Sequence, residues 1–420
     1  MTARPLRRAH RSVGGLDVDP MQRDDGIVIR EAGRADVDAI ADLCAMTLGA
    51  REGPNVRTVF DPDFEWLCAA AVAVDEGRVV STALVMVHPL RIGEVQITAS
   101  QVEWVATTPS HRGRGLVRDQ IVLLQRAADR AGSLVEFVDG IPHFYRRFGY
   151  DYGLPWPMMY VVPARLGTVD GPEVRRATPE DLPGIVALAD SAQRAADVAC
   201  RWTANHWRWA IDRAMPHEAF DVAVDDGDVV AFARTAVSED ETWVALIAGR
   251  DTEAVRAVLP AAVSAGAAPT AHVVARADPV VAAVCAGVGV EAPEATGLYA
   301  RLPDPLSLLR ALQPELSRRL RPSPWGQRRG AVTLSTYRAG YQFEYGDGAV
   351  IAIDPVDPLP HPTSQGGVGV PDDHLAELML GRRDPAALEA AVDDVLLGPH
   401  RDLIATLFPR LHYDPLVFAL

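Results

Sequence analysis

Two stretches of this chain, Ile29–Leu43 (IREAGRADVDAIADL) and Val174–Leu188 (VRRATPEDLPGIVAL), match each other without a gap. Each reads as a strand end, a polar turn, an acidic first helical turn and then apolar residues at helical spacing. Such a repeat predicts two copies of one α/β unit in tandem, each burying its own apolar face. A chain of 420 residues, at roughly 150 residues per domain, leaves room for a third unit.

The first copy continues through strands CAAAVAVDE, GRVVSTALVMVHPLRIG and EVQITASQVEWVAT. A loop, HRGRG, follows, and then a helix from Leu116 to about Ala131, with Leu116, Ile121, Leu124 and Ala128 on one side and Gly132 closing it. A further strand, LVEFV, leads into DGIPHFYRRFGY. At the equivalent place the second copy exits its strand into GRDTEAVRAV, which has no paired glycines. After Leu302 the texture changes: a hairpin is predicted to turn near Gly346-Asp347-Gly348, and a Pro- and Gly-rich stretch precedes helices starting near Asp372 and Pro385. The expected divisions are a disordered leader over 1–26 and units over 27–165, 172–300 and 303–420. The basic leader lacks apolar periodicity, and Met21 is the alternative start of translation.

Charge and composition narrow the function. The formal net charge of -15 speaks against nonspecific nucleic-acid binding and suits a small cationic partner. No apolar run approaches the ~18 residues a membrane span needs, and the N-terminus lacks the hydrophobic core of a signal peptide, so a soluble cytoplasmic protein is expected. Lysine is absent, which reads as coding bias and carries no function. Cys44, Cys68, Cys200 and Cys285 are far apart in apolar settings and read as buried free thiols, with no disulfide and no metal site.

The loop Arg112-Gly113-Arg114-Gly115 at the mouth of a helix is an anion site in outline: helix N-terminal N–H groups and the dipole attract phosphate, and glycines let it approach the backbone. It lacks the Gly-Lys-Ser/Thr of a P-loop, and Arg118 stands where a dinucleotide fingerprint needs its third glycine. Arg112-x-x-Gly115-x-Val117 resembles instead the loop by which the GNAT acetyltransferase superfamily holds the pyrophosphate of acetyl-CoA. His143–Tyr150 (HFYRRFGY) resembles the Tyr-x-x-x-Gly-Phe/Tyr signature that follows the fifth strand there. With Val117 closing the loop, the chain is similar to the Eis-type (enhanced intracellular survival) branch from about Ile27 onward. That resemblance implies an α+β fold: tandem GNAT-like domains, each a mixed, mostly antiparallel sheet with flanking helices, and a C-terminal domain like sterol carrier protein.

The resemblance also implies a chemistry: acetyl transfer from acetyl-CoA, with no metal, to an amine of a small cationic acceptor such as an aminoglycoside, another amine antibiotic or a polyamine. Nucleic acid and membrane are not expected partners, and a symmetric homo-oligomer such as a hexamer is. Arg112, Gly113, Arg114, Gly115 and Leu116 would hold the phosphates. Backbone N–H groups of Val105 and Thr107 would meet the thioester oxyanion. Tyr145 is the expected general acid for the leaving thiolate: a phenol with a reference pKa of ~10 can protonate a thiolate whose reference is ~8.5. By family resemblance the Leu420 carboxylate is the expected base, with Glu103 as its rival, and strand alternation turns Trp104 toward the acceptor. Ala419 departs from relatives that modify aminoglycosides, which carry a carboxylate there. His111 is expected either beside phosphate or in solvent, and Trp202, His206, Trp207 and Trp209 either at a domain interface or around the acceptor. Two other readings fit: an apolar-ligand carrier using the third domain, and an acetyl-CoA sensor that transfers nothing.

Overall fold

A computed structural model describes residues 19–414 apart from 62–63, 65, 168–169, 201, 213–217, 277 and 294–296. The first unit comprises β1 (Val28–Glu31), α1 (Val37–Leu48), α2 (Glu52–Val59), β2 (Leu67–Asp75), β3 (Arg78–Ile92), β4 (Val95–Thr107), α3 (Leu116–Arg130), β5 (Val135–Val138), β6 (Asp151–Leu154) and β7 (Met159–Pro163). Strands β1 to β4 form an antiparallel meander, and β5 joins β4 in parallel after the α3 crossover. Leu116, Ile121, Leu124 and Ala128 are buried on one face of α3, as their spacing predicts, and each Leu or Ile so buried contributes roughly 1.5–3 kcal/mol. Met21–Gln22 pairs with β1, so the last six residues of the stretch expected to be a disordered leader, 21–26, lead into the fold from a paired strand.

The second unit comprises β8 (Glu173–Arg176), α4 (Leu182–Gln193), α5 (Ala204–Asp212), β9 (Glu218–Asp225), β10 (Asp228–Val237), β11 (Thr242–Gly249), α6 (Thr252–Val263), β12 (Thr270–Val274), α7 (Pro279–Val288) and β13 (Leu298–Arg301). The repeat seen in the sequence is a repeat in structure down to its polar contacts. Arg30 forks onto Asp36 at 2.7 and 2.9 Å, and Arg175 forks onto Asp181 at 2.7 and 2.8 Å. Each aspartate also accepts the backbone N–H three residues before it, Gly33 at 2.7 Å and Thr178 at 2.8 Å. The arginine hydrogen bond is the main reason both carboxyls sit below their ordinary pKa. One paired carboxylate thus fixes the angle at which strand hands over to helix in each unit.

The last strands of the two units are exchanged. The order in the first sheet is β1-β2-β3-β4-β5-β13-β6, so β13 lies between β5 and β6; in the second it is β7-β12-β11-β10-β9-β8, with the short strand Val290–Glu291 paired on the outer side of β7. Sheet membership therefore departs from the divisions at 165 and 172: each unit lends its closing strand to the other. Between the units Phe64, Trp66 and His88 meet His206 and Trp209, the Trp66 and His206 rings stacking at 4.7 Å. The tryptophan cluster is thus an interface, with Trp202 just ahead of α5 instead of on it.

The third unit comprises α8 (Pro305–Leu320), β14 (Gly330–Ser335), β15 (Gly340–Gly346), β16 (Ala349–Val356), β17 (Gly367–Gly369), α9 (Asp372–Met379), α10 (Pro385–Ala391) and α11 (Arg401–Leu407). Asp347 and Gly348 form the two-residue turn between β15 and β16, both with positive φ, as such a tight hairpin requires. Tyr413–Asp414 pairs with Val198–Ala199, which in turn pairs with the end of β3, so the three units meet at one seam. Cys44, Cys68, Cys200 and Cys285 are free and buried.

Candidate active site

Strand β4 is irregular where the sequence places its chemistry. Ala106 pairs with Thr82 and Glu103 with Leu84, so Trp104 and Val105 together face the single residue Ala83. Trp104 takes φ +45, a conformation unusual for a bulky residue and fitting for a bulge. On its other edge β4 pairs with β5 only as far as Val102 and Val138. Beyond that point the two strands part, and a cleft of about 900 Å³ opens between them. The Thr108 N–H donates to Val80 O at 2.9 Å, on the β3 side, so alternation along the strand turns the amide of Thr107 toward the cleft, which Val105 also lines.

At one end of the cleft α3 begins. Gly113 and Gly115 take φ +76 and +78, where a Cβ would be strained, and Gly115 caps the helix. The first-turn N–H groups of α3 have no carbonyl within the helix to bind, which makes this helix mouth suited to receive an anion. Gln120 bolts this turn to the sheet: its amide donates to Ala71 O at 2.9 Å and it accepts from Ser81 Oγ at 2.8 Å. Arg112 is exposed beside the loop, with Nε 3.4 Å from Thr107 O. Arg114 donates to Asp25 at 3.0 Å, and its carbonyl accepts from Arg23 at 2.8 Å, so the segment preceding β1 clasps the loop. His111 is tied to Asp75 at 2.9 Å and to Thr108 at 2.8 Å; it braces the loop where the sequence offered only phosphate or solvent.

At the bulge the lining turns acidic. Glu52, Glu103 and Asp139 all reach the cleft. Burial, with the nearby Asp139 and Glu52 carboxylates, raises the Glu103 pKa to about 8, against a lowering by the Gln101 side-chain hydrogen bond. The bulge breaks strict alternation, and Glu103 and Trp104 both line the cleft. The Trp104 indole donates to Glu52 Oε2 at 2.9 Å, and its ring is 5% exposed, so it joins α2 to the site wall.

Tyr145 lines the same cleft, on the 3-10 turn Tyr145–Phe148. Its ring is buried against Phe144, Phe148, Tyr150 and Tyr299, and burial, helped by Glu103 and Asp139, pushes its pKa up. The phenol therefore stays protonated at neutral pH. Leu420 lies outside the described residues. Sequence reasoning missed Gly140, Glu52, Gln101 and Tyr299; only Gly140, in an Asp-Gly pair straight after a strand, left a local signal. Among the described residues no cluster of His, Cys, Asp and Glu could hold a metal, and no helix is long and apolar enough to cross a membrane.

A glycine-lined helix mouth, a strand that parts from its neighbour and a buried phenol meet in one cleft, an arrangement suited to acyl transfer. Residues 28–153 match the acetyltransferase (GNAT) domain family, whose fold works with acyl-CoA. The chain carries such a domain and is an acyltransferase. Among solved structures it is similar to a GCN5-related N-acetyltransferase from Kribbella flavida, at 20% identity and TM-score 0.59 over 93% of this chain and 100% of that one. It is also similar to a probable N-acyltransferase from Enterococcus faecalis, at 12% identity and TM-score 0.63 over 93% and 99%. Eis1 from Mycobacterium abscessus shows 14% identity and TM-score 0.58 over 93% and 99%. No curated protein matches significantly in sequence.

Proposed function

We propose that this protein transfers acetyl from acetyl-CoA to a primary amine of a small cationic acceptor. The observation that carries the reading is the meeting of Glu103, Tyr145 and the glycine loop in one cleft that opens where β4 leaves β5. Arginines 112, 114 and 118 gather where α3 begins, a setting for an anionic donor, while Glu52, Glu103 and Asp139 gather around the bulge, a setting for an ammonium.

In the proposed step the free amine attacks the thioester carbon, and its proton passes to the Glu103 carboxylate. The oxyanion is met by the amides of Val105 and Thr107. The tetrahedral adduct collapses by breaking the C–S bond, and the thiolate takes the proton of Tyr145. Amide and CoA thiol leave, and Tyr145 is reprotonated as Glu103 gives up its proton through solvent. The rival base is the Leu420 carboxylate. We carry forward from the sequence an Eis-type organisation, with the second unit a GNAT-like domain that lacks the paired glycines, the third like sterol carrier protein, and the whole a homo-oligomer.

Thiol release from acetyl-CoA, followed with spermidine, kanamycin and 2-phenylethylamine, tests the reading. Glu103→Gln should abolish turnover of the preferred amine at neutral pH, while deletion of Leu420 leaves most of it. The reverse pattern assigns the base to the terminus. Acetyl-CoA binding with no amine turned over favours a sensor, and failure to bind acetyl-CoA refutes the reading.

A further inference from the structure

Tyr299 stands beside the proposed acid although it lies more than 150 residues away in sequence, on β13, the strand that the second unit lends to the first sheet. It is fully buried. Its hydroxyl accepts the backbone N–H of His143 at 2.6 Å and donates to the Tyr152 hydroxyl at 3.1 Å. Its ring stacks on Tyr152 at 4.3 Å and leans on the Tyr145 ring at 5.8 Å.

His143 is the residue that needs holding. It takes φ +68, a left-handed conformation that side-chain-bearing residues resist. Two residues later the chain presents Tyr145 to the cleft. The ring of Tyr145 is bounded by Gly140 on one side and touches Tyr299 on another. The same strand is pinned independently of the tyrosine, since Arg301 donates to the buried Glu136 at 2.7 Å and Glu136 also accepts from Tyr150 at 2.7 Å. The position of Tyr299 is thus also set by the pairing of β13 with β5, Tyr299 opposite Val138 and Arg301 opposite Glu136.

We propose that Tyr299 is a positioning residue: its hydroxyl fixes the His143 turn so that Tyr145 meets the leaving sulfur, and the acyl-transfer site is complete only with this strand lent by the second unit. The proposal rests on Tyr145 being the general acid. It gives the strand exchange a functional consequence, because residues 27–165 alone would carry every motif and still lack the brace.

The test compares Tyr299→Phe with the parent by amide hydrogen exchange and by kinetics with whichever of spermidine, kanamycin and 2-phenylethylamine the parent acetylates fastest. Exchange at His143 should accelerate about tenfold, the effect of losing one hydrogen bond. The kcat should fall about tenfold or more with KM for acetyl-CoA unchanged. In a Tyr145→Phe background the same substitution should change kcat no further, and His143→Gly, which accepts positive φ freely, should restore part of the loss in Tyr299→Phe. Unchanged protection of His143, or an equal loss in both backgrounds, overturns the proposal and leaves Tyr145 as the acid. An unaffected kcat in Tyr145→Phe alone overturns both. If Tyr299→Phe does not fold, the parent still decides: a His143 amide that exchanges as though unprotected contradicts the brace.

Discussion

The ring of Tyr145 lies so close to the backbone of Gly140 that a Cβ at that position would stand 2.0 Å from Cε2. Gly140 is thus the seat of the tyrosine, and its φ is not what demands glycine. Gly140→Ala should displace the phenol while leaving the phosphate loop intact. Acetyl transfer is expected to fall about 100-fold, as for a catalytic group shifted by an ångström, with acetyl-CoA affinity in calorimetry unchanged. A parallel loss of affinity would mean that the substitution disturbs more than the tyrosine.

Glu103 supplies a pH signature. Its folded pKa of about 8 lies above its ordinary 4.5, so below pH 4.5 its contribution to stability is fully present, and that contribution is lost as the pH rises through about 8. Glu103→Gln should therefore gain in melting temperature relative to the parent as the pH is raised from 5 to about 9. As the base, Glu103 should also give an acid limb near pH 8 in kcat/KM. If Glu103→Gln retains that limb, the titrating group lies elsewhere.

The interface between the first two units should weaken in acid. Burial holds His88 at about 4 and His206 at about 3, both below the ordinary 6.5. Their contributions are present above pH 6.5 and are lost as the pH falls through about 4 and 3. Chemical denaturation at pH 7 and pH 4 should show a stability loss in the parent that His206→Phe reduces; an identical loss in both proteins would place the acid sensitivity elsewhere.

Arg276 and Asp414 join the second unit to the last described strand at 2.6 Å, each 7% exposed. Asp414→Ala leaves a buried guanidinium without its carboxylate, and an urea titration should show a loss of about 3–5 kcal/mol. A change below about 1 kcal/mol, typical of a surface pair, would show that the pair is solvated in solution.

Much of this site could be read from the sequence because its signals are local. Paired glycines that need positive φ, an apolar stripe on α3 and the ungapped repeat at Ile29 and Val174 each depend on neighbours a few residues apart. Contacts between distant segments could not be read this way. Nothing near Leu298 announces that its strand leaves the second unit, and nothing near Asp25 or Asp75 announces a grip on the glycine loop. The bulge at Trp104 also escaped, since alternation carries no mark of the extra residue that breaks it. The signal for Glu103 lay in the mechanism, and its place in the cleft follows from that bulge.

The most direct measurement is thiol release from acetyl-CoA by the parent and by Tyr145→Phe, with spermidine, kanamycin and 2-phenylethylamine as acceptors and acetyl-CoA affinity measured alongside. Removing the general acid should lower kcat about 100-fold to 10,000-fold while affinity for acetyl-CoA stays the same. A Tyr145→Phe protein that acetylates as fast as the parent would contradict the account.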